Sequence, residues 1–145
     1  QAERVEAALE ERELTVVHTP EWPDGQSGSV RAGMDALGPG ITGAIFLLVD
    51  QPAVGCELLN AVIRTHRESG AAIVAPRTAG RCANPVLFDR AIWPELRRVR
   101  GDMGGRSLLE RHADKIVYVD WGDEILAEIN TADDYVVFRE SSARN

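Results

Sequence analysis

The stretch Ala44-Ile45-Phe46-Leu47-Leu48-Val49-Asp50-Gln51-Pro52 decides the fold. Six apolar residues run without alternation and stop at an acidic residue and a proline. A strand apolar on both faces predicts burial on both, as in a parallel sheet covered by helices. Upstream of it, Ser27 or Ser29 is placed to cap a helix through Leu37, which Gly38-Pro39-Gly40 stops. Downstream, Glu57 to Ser69 carries Leu58, Leu59, Val62 and Ile63 on one side of a helix that Gly70 ends. Ala71 to Ala75 is then a second buried strand, closed by Pro76. This alternation predicts an open α/β sheet.

The outer segments are less regular. Val5, Ala8 and Leu9 predict an amphipathic helix over Ala2 to Glu11, and Leu14 to Val17 a short strand. Val86 to Phe88 is a short strand or bend. Arg90 to Val99 is helical with Pro94 in its first turn, Arg106 to His112 a short helix, Ile116 to Asp120 a strand and Ile125 to Ile129 a last strand. Thr131 caps a helix from Ala132 to Arg139. The 145 residues suit one domain. The chain lacks an initial Met and opens directly on a helical pattern, so a natural N-terminus upstream of Gln1 is expected.

Sixteen Lys and Arg against 23 Asp and Glu give a net charge of −7. That balance disfavours nucleic-acid and anionic-membrane partners. Local phosphate binding stays open, because a few arginines and backbone N–H groups suffice for it. Cys56 and Cys82 are too few for a disulfide scaffold and have no CxxC partner. The longest apolar run is too short to span a bilayer and no signal peptide opens the chain, so a reduced, cytoplasmic protein is expected. Serines lack a GxSxG frame, and neither a P-loop nor a GxGxxG fingerprint occurs. His66 and His112 lie late in helices, where the helix dipole accounts for them.

Ligands of open α/β sheets bind beyond the carboxyl ends of the strands. Asp50 lies at such an end. From position alone it is equally a Mg²⁺ ligand or a turn residue before Pro52. Asn130, at the end of the last expected strand, is a second candidate oxygen ligand or an ordinary turn residue. Gly25 to Gly33 sets small residues, hydroxyls and Arg31 around a helix start, which suits either an anion or a plain turn. Gly101-Asp102-Met103-Gly104-Gly105-Arg106 carries the same ambiguity, with Asp102 a ligand to metal or substrate or a helix cap.

Six pieces form an ordered series: Gly25-x-Ser27-x-Ser29-x-Arg31-x-Gly33; Leu48-Val49-Asp50-Gln51-Pro52; Ile73-Val74-Ala75-Pro76; Asn84-Pro85-Val86-Leu87-Phe88; Gly101-Asp102-x-Gly104-Gly105-Arg106; and Ile129-Asn130-Thr131-x-Asp133-Asp134. Their order and spacing, from about Val5 to Tyr135, resemble the MobA-like nucleotidyltransferases, especially the molybdenum cofactor cytidylyltransferase branch. The resemblance implies a Rossmann-like, glycosyltransferase-A-type fold, a mostly parallel sheet with helices on both faces, here without its first strand. It implies transfer of a nucleoside monophosphate, with Mg²⁺, from a nucleoside triphosphate, CTP in that branch, to a molybdopterin-type acceptor, releasing pyrophosphate. It assigns Asp50 as the catalytic Mg²⁺-binding residue, with Asn130 as a second metal ligand. It assigns Gly25, Ser27, Ser29, Arg31 and Gly33 to the nucleotide, and Asn84, Pro85, Asp102 and Arg106 to the acceptor. A homodimer is open.

Three departures stand out. The family's opening LAAGxxxRMGxxK, which grips the triphosphate, is not in this chain, so the chain alone is expected to hold a triphosphate poorly. Asn130 stands where the cytidylyltransferase branch usually carries Asp. Cys82-Ala83 replaces a more usual Gly-rich approach to Asn84-Pro85. A GTP- or sugar-phosphate-using relative and a non-catalytic nucleotide-binding module are the alternative readings.

Overall fold

A computed structural model describes residues 2–9, 12–19, 25–101 and 105–142. In chain order the elements are α1 (Ala2–Leu9), α2 (Gln26–Asp35), β1 (Gly43–Phe46), α3 (Cys56–Ser69), β2 (Ile73–Thr78), β3 (Arg81–Cys82) and β4 (Val86–Asp89). They continue with α4 (Trp93–Leu96), α5 (Arg106–Arg111), β5 (Ile116–Asp120) and α6 (Ala132–Ser142).

The strands form one five-stranded sheet in the order β1-β4-β2-β3, with β5 also paired to β2. β5 runs parallel to β2 from Ile73↔Ile116 to Arg77↔Asp120. β4 is antiparallel to both β1 and β2, so β1, β2 and β5 all point one way. The expected mostly parallel pairing is thus direct only between β2 and β5 among the described residues. The reason is the connection from β2 to β4. It turns through Ala79 (φ 48°) and Gly80 (φ 75°) into β3, and a tight hairpin yields only antiparallel neighbours.

Alternate side chains of the sheet feed two cores, one on each face. Ile73, Ala75, Val86 and Phe88 pack with Met34 of α2, Trp93 and Leu96 of α4 and Leu108 of α5. Val74 and Leu87 pack with Leu58 and Val62 of α3 and with Ile125. Helices therefore cover both faces, as expected. On the first face Trp93 is buried and its indole N–H donates to the Phe88 carbonyl at 3.2 Å. Two histidine–carboxylate contacts brace helices to neighbouring elements. His66 of α3 lies 3.0 Å from Asp89 at the end of β4, and His112 lies 3.0 Å from Glu95 of α4.

Several expected boundaries move. The Ala44–Val49 strand is shorter and less buried than its composition suggests. β1 ends at Phe46 and is only half-buried, Leu47 and Leu48 are exposed, and Val49 is fully so. β1 pairs only with β4 among the described residues, and an edge strand has one flank to fill with neighbours. Leu14–Val17 is not a strand. It is irregular, with Leu14, Val16 and Val17 exposed, because it has no strand to pair with among the described residues.

Pro76 does not close β2, which runs on to Thr78. Its carbonyl accepts from the Ala83 N–H at 2.9 Å, on the side where β4 pairing stops at Val74 and β3 pairing starts at Arg77. The missing proline N–H falls in that gap and interrupts no ladder. Arg90–Val99 splits into a 3₁₀ turn over Arg90–Ile92 and α4, with Pro94 in the first turn as expected. The last expected strand, Ile125–Ile129, is a 3₁₀ turn over Asp123–Leu126 followed by irregular chain. Neither expected serine caps α2; the N-cap is Gly25. No described helix is long and apolar enough to cross a membrane.

Candidate functional site

The carboxyl ends of β1, β2 and β5 meet the start of β4 along one edge of the sheet. Phe46 pairs with Val86, so the residues after β1 lie beside those before β4. That register gathers Asp50, Gln51 and the Asn84-Pro85 pair at this edge. Asn84 is half-buried, Pro85 is buried, and a cis peptide bond joins them.

Asp50 is half-buried in a turn, and its carbonyl accepts from the Ile129 N–H at 2.8 Å. This one bond brings Asn130 next to Asp50 from the other end of the chain. Asn130 is in turn fixed by α6. Its backbone N–H donates to Asp134 Oδ2 at 3.1 Å, as do the Thr131 N–H and hydroxyl at 2.8 Å each. The Asp134 N–H donates back to Thr131 Oγ1 at 3.2 Å, so Thr131 caps α6 reciprocally, as the sequence predicted. The Thr131 hydroxyl, then the Thr131 and Asn130 backbone donors, hold the Asp134 carboxyl below the usual carboxylate range.

Two neighbours complete this corner. Gln51 is 8% exposed, and its amide donates to Glu128 Oε1 at 3.4 Å. The other oxygen of Glu128 accepts from the Asn130 amide at 3.5 Å. Gln51 Oε1 is buried without a hydrogen-bond partner among the described residues. The donor set suits a hard divalent cation. Asp50 offers a carboxylate, and the Asn130 amide, with its nitrogen turned to Glu128, offers an oxygen. Among the described residues no group of three His, Cys, Asp or Glu side chains could hold a metal. A cation here would take its remaining ligands from water and substrate phosphates, the arrangement Mg²⁺ favours.

The expected nucleotide segment sits at the start of α2. α2 packs on the sheet through Met34, and residues 36–42 return the chain to the start of β1. Its N-terminus therefore lies toward the carboxyl edge. Gly25 has φ 83°, which a side chain would strain, so glycine is required there. Ser27 is 1% exposed with its hydroxyl unpartnered among the described residues, and Ser29 is exposed. Arg31 donates to the Val99 carbonyl at 3.2 Å, tying α2 to the segment after α4. A side chain at Gly33 would meet open space.

The expected acceptor residues are only partly gathered. Asp102 lies outside the described residues. Arg106 is exposed and pairs along its own helix with Glu110 at 3.5 Å, with no bond to Asn84 or Pro85. Arg77 and Asp120, at the same edge, form a two-point ion pair at 2.8 and 3.2 Å, with the Arg77 guanidinium 5.3 Å from the Tyr118 ring. The pair holds Asp120 below its usual range and Arg77 above. The sequence reading missed Gln51 and Glu128. Gln51 lies within the Asp50-Gln51-Pro52 piece but was given no role, and the only signal for Glu128 was its place two residues before Asn130.

Comparison with known proteins bears on the family and the fold. Purine catabolism protein PucB of Bacillus subtilis (strain 168) is 33% identical over 87 residues, which make up 59% of this chain and 41% of that protein. The chain thus spans about two fifths of that curated relative. The crystal structure of Rv0371c from Mycobacterium tuberculosis H37Rv matches with a TM-score of 0.78 and 25% identity, over 96% of this chain and 71% of that one. A second structure of Rv0371c, in complex with manganese, matches with a TM-score of 0.74 and 28% identity, over 97% and 73% of the two chains. Molybdopterin-guanine dinucleotide biosynthesis protein A from Archaeoglobus fulgidus, 15% identical over 100% of this chain and 76% of that one, shares the fold with a TM-score of 0.65. Residues 1–116 match the MobA-like NTP transferase domain, and the chain belongs to that family of nucleotidyltransferases.

Proposed function

We propose that this protein transfers a nucleoside monophosphate from a nucleoside triphosphate to a phosphorylated acceptor of the molybdopterin type, releasing pyrophosphate, with a divalent metal. CTP is the favoured donor and the cytoplasm the favoured location. The observation that carries the reading is the Ile129 N–H to Asp50 carbonyl bond, which joins the segments of Asn130 and Asp50 at the carboxyl edge of the sheet. Family membership and the manganese complex of Rv0371c support it.

In this reading Asp50 and Asn130 hold the metal, Mg²⁺ or Mn²⁺. When bound, it neutralises phosphate charge and keeps the reacting oxygens in line. The chain supplies the rest. The backbone N–H groups at the start of α2, with Gly25 allowing close approach, bind the nucleotide. Arg31 holds α2 against the segment that leads to Gly101. Asn84-Pro85 orients the acceptor. An acceptor phosphate oxygen forms a bond to the α-phosphorus as the bond to the β-phosphate oxygen breaks, and pyrophosphate leaves. No side chain forms a covalent bond to substrate.

The test is a panel of nucleoside triphosphates with Mg²⁺ or Mn²⁺ and a molybdopterin acceptor, read by pyrophosphate release. CTP-dependent release that fails in Asp50→Asn is the expected result. Release favouring GTP reassigns the donor. Nucleotide binding without release replaces transfer with a nucleotide-holding role.

A further inference from the structure

At the metal corner, the Glu128 carboxylate takes one hydrogen bond from each side. Oε1 accepts from the Gln51 amide at 3.4 Å, and Oε2 accepts from the Asn130 amide at 3.5 Å. Gln51 follows Asp50 directly. The carboxylate therefore bridges the two loops that carry the candidate ligands. We propose that Glu128 and Gln51 are positioning residues that hold the Asn130 amide with its oxygen toward Asp50. The inference rests on the metal reading above and names what keeps that site in register.

The argument has three parts. An amide can present either its nitrogen or its oxygen, and only an acceptor on one side decides which. Glu128 is a pure acceptor when ionised, so it fixes the nitrogen toward itself and leaves the oxygen for a cation. Second, the backbone bond from Ile129 to Asp50 sets how closely the loops approach but says nothing about how the Asn130 side chain is turned. A separate contact has to do that. Third, Gln51 is poorly explained as a stabilising residue. Its Oε1 is buried with no donor among the described residues, and an acceptor left so destabilises the fold relative to an apolar residue of similar shape. A side chain kept at that expense to stability, with its nitrogen on Glu128, fits a residue retained for orientation. Hydrogen-bonding partners behind metal ligands commonly tune affinity by about 10–100-fold.

The test measures Mn²⁺ alone binding to the whole protein, from the loss of the free-ion electron paramagnetic resonance signal, together with urea unfolding. Glu128→Ala and Gln51→Leu should each weaken Mn²⁺ binding by about tenfold or more. Glu128→Gln, which also brings an N–H₂ of its own, should lie in between. The unfolding midpoint should fall in Glu128→Ala by no more than the loss of the Gln51 and Asn130 hydrogen bonds explains, and should hold or rise in Gln51→Leu. Weaker metal binding in a protein of equal or greater stability is a pattern that a merely structural role does not produce. Mn²⁺ affinity unchanged in both variants, with binding lost in Asp50→Ala, overturns the positioning role and leaves the metal site standing. Mn²⁺ affinity that falls only in step with stability also overturns it. Undiminished binding by Asp50→Ala, or no binding by the unaltered protein, overturns the metal reading itself and this inference with it.

Discussion

Replacing Asp50 with Asn separates a functional carboxylate from a structural one. The Asp50 contact the fold uses is its backbone carbonyl, which accepts from Ile129 at 2.8 Å, and asparagine keeps that carbonyl. Asparagine also matches the side chain in size. The stability change should therefore stay within about 0.5 kcal/mol, as for substitutions away from cores and buried networks. A chain of 145 residues, at about 2.1 cal/mol/K per residue, unfolds with an entropy of about 0.3 kcal/mol/K. The shift in Tm should then be no more than about 2 °C. A core control fixes the scale. Leu58 is 1% exposed and packs with Val62, Val74 and Leu87, so Leu58→Ala should lose about 2–5 kcal/mol, or about 7–16 °C. Metal-dependent pyrophosphate release should fall by about 100-fold or more in Asp50→Asn, the loss typical when a group that stabilises developing charge is removed. Thermal melts and a coupled pyrophosphate assay on the same preparations give both numbers. A Tm drop in the range of Leu58→Ala with unchanged turnover would refute the assignment, because Asp50 would then belong to the fold.

Three further outcomes follow from named contacts. Arg31→Ala should destabilise by about 1 kcal/mol, since it removes a donor from the Val99 carbonyl, and should weaken CTP binding; unchanged urea midpoint and unchanged CTP titration together would reject both roles. Thr131→Ala should cost about 1 kcal/mol through loss of the α6 cap and should also weaken Mn²⁺ binding by loosening Asn130, which a combined circular dichroism and metal titration would detect or exclude. Glu95 is held below the usual carboxylate range, first by its hydrogen bond to His112. A carboxyl lowered on folding lends stability that is complete above its unfolded value and is lost as pH falls through the lower folded value. Stability should therefore decline with acid from about pH 4.5 downward, and His112→Gln should flatten that decline. An identical slope in the variant would rule out this pair as a contributor.

The helix with the clearest apolar stripe, α3, and the helix with the clearest N-cap, α6, survived from sequence to structure. α3 follows from Leu58, Leu59, Val62 and Ile63 and from Gly70, whose φ of 64° ends the helix. α6 follows from Thr131 and Asp134, because a reciprocal cap is a local interaction written within four residues. The Asp50 turn was legible for the same reason, since it needs only a strand, an acidic residue and a proline in a row. The order of the motifs was enough to name the family, and family membership carries the likeness of fold. Strand direction was not legible. Ala71–Ala75 and Val86–Phe88 are both simply apolar, and which way β4 runs depends on the hairpin at Ala79-Gly80 and on register, not on composition. Burial was misjudged at Leu47–Val49 because periodicity reports what a side chain prefers, while neighbours decide what covers it. The candidate metal corner was the least legible part. Asp50 and Asn130 were each ambiguous alone, Gln51 stood in the Asp50-Gln51-Pro52 piece without a role of its own, and Glu128 carried no signal beyond adjacency to Asn130. A hydrogen bond between residues at opposite ends of a chain leaves no periodic trace in either segment, so only the folded structure joins Asp50, Gln51, Glu128 and Asn130.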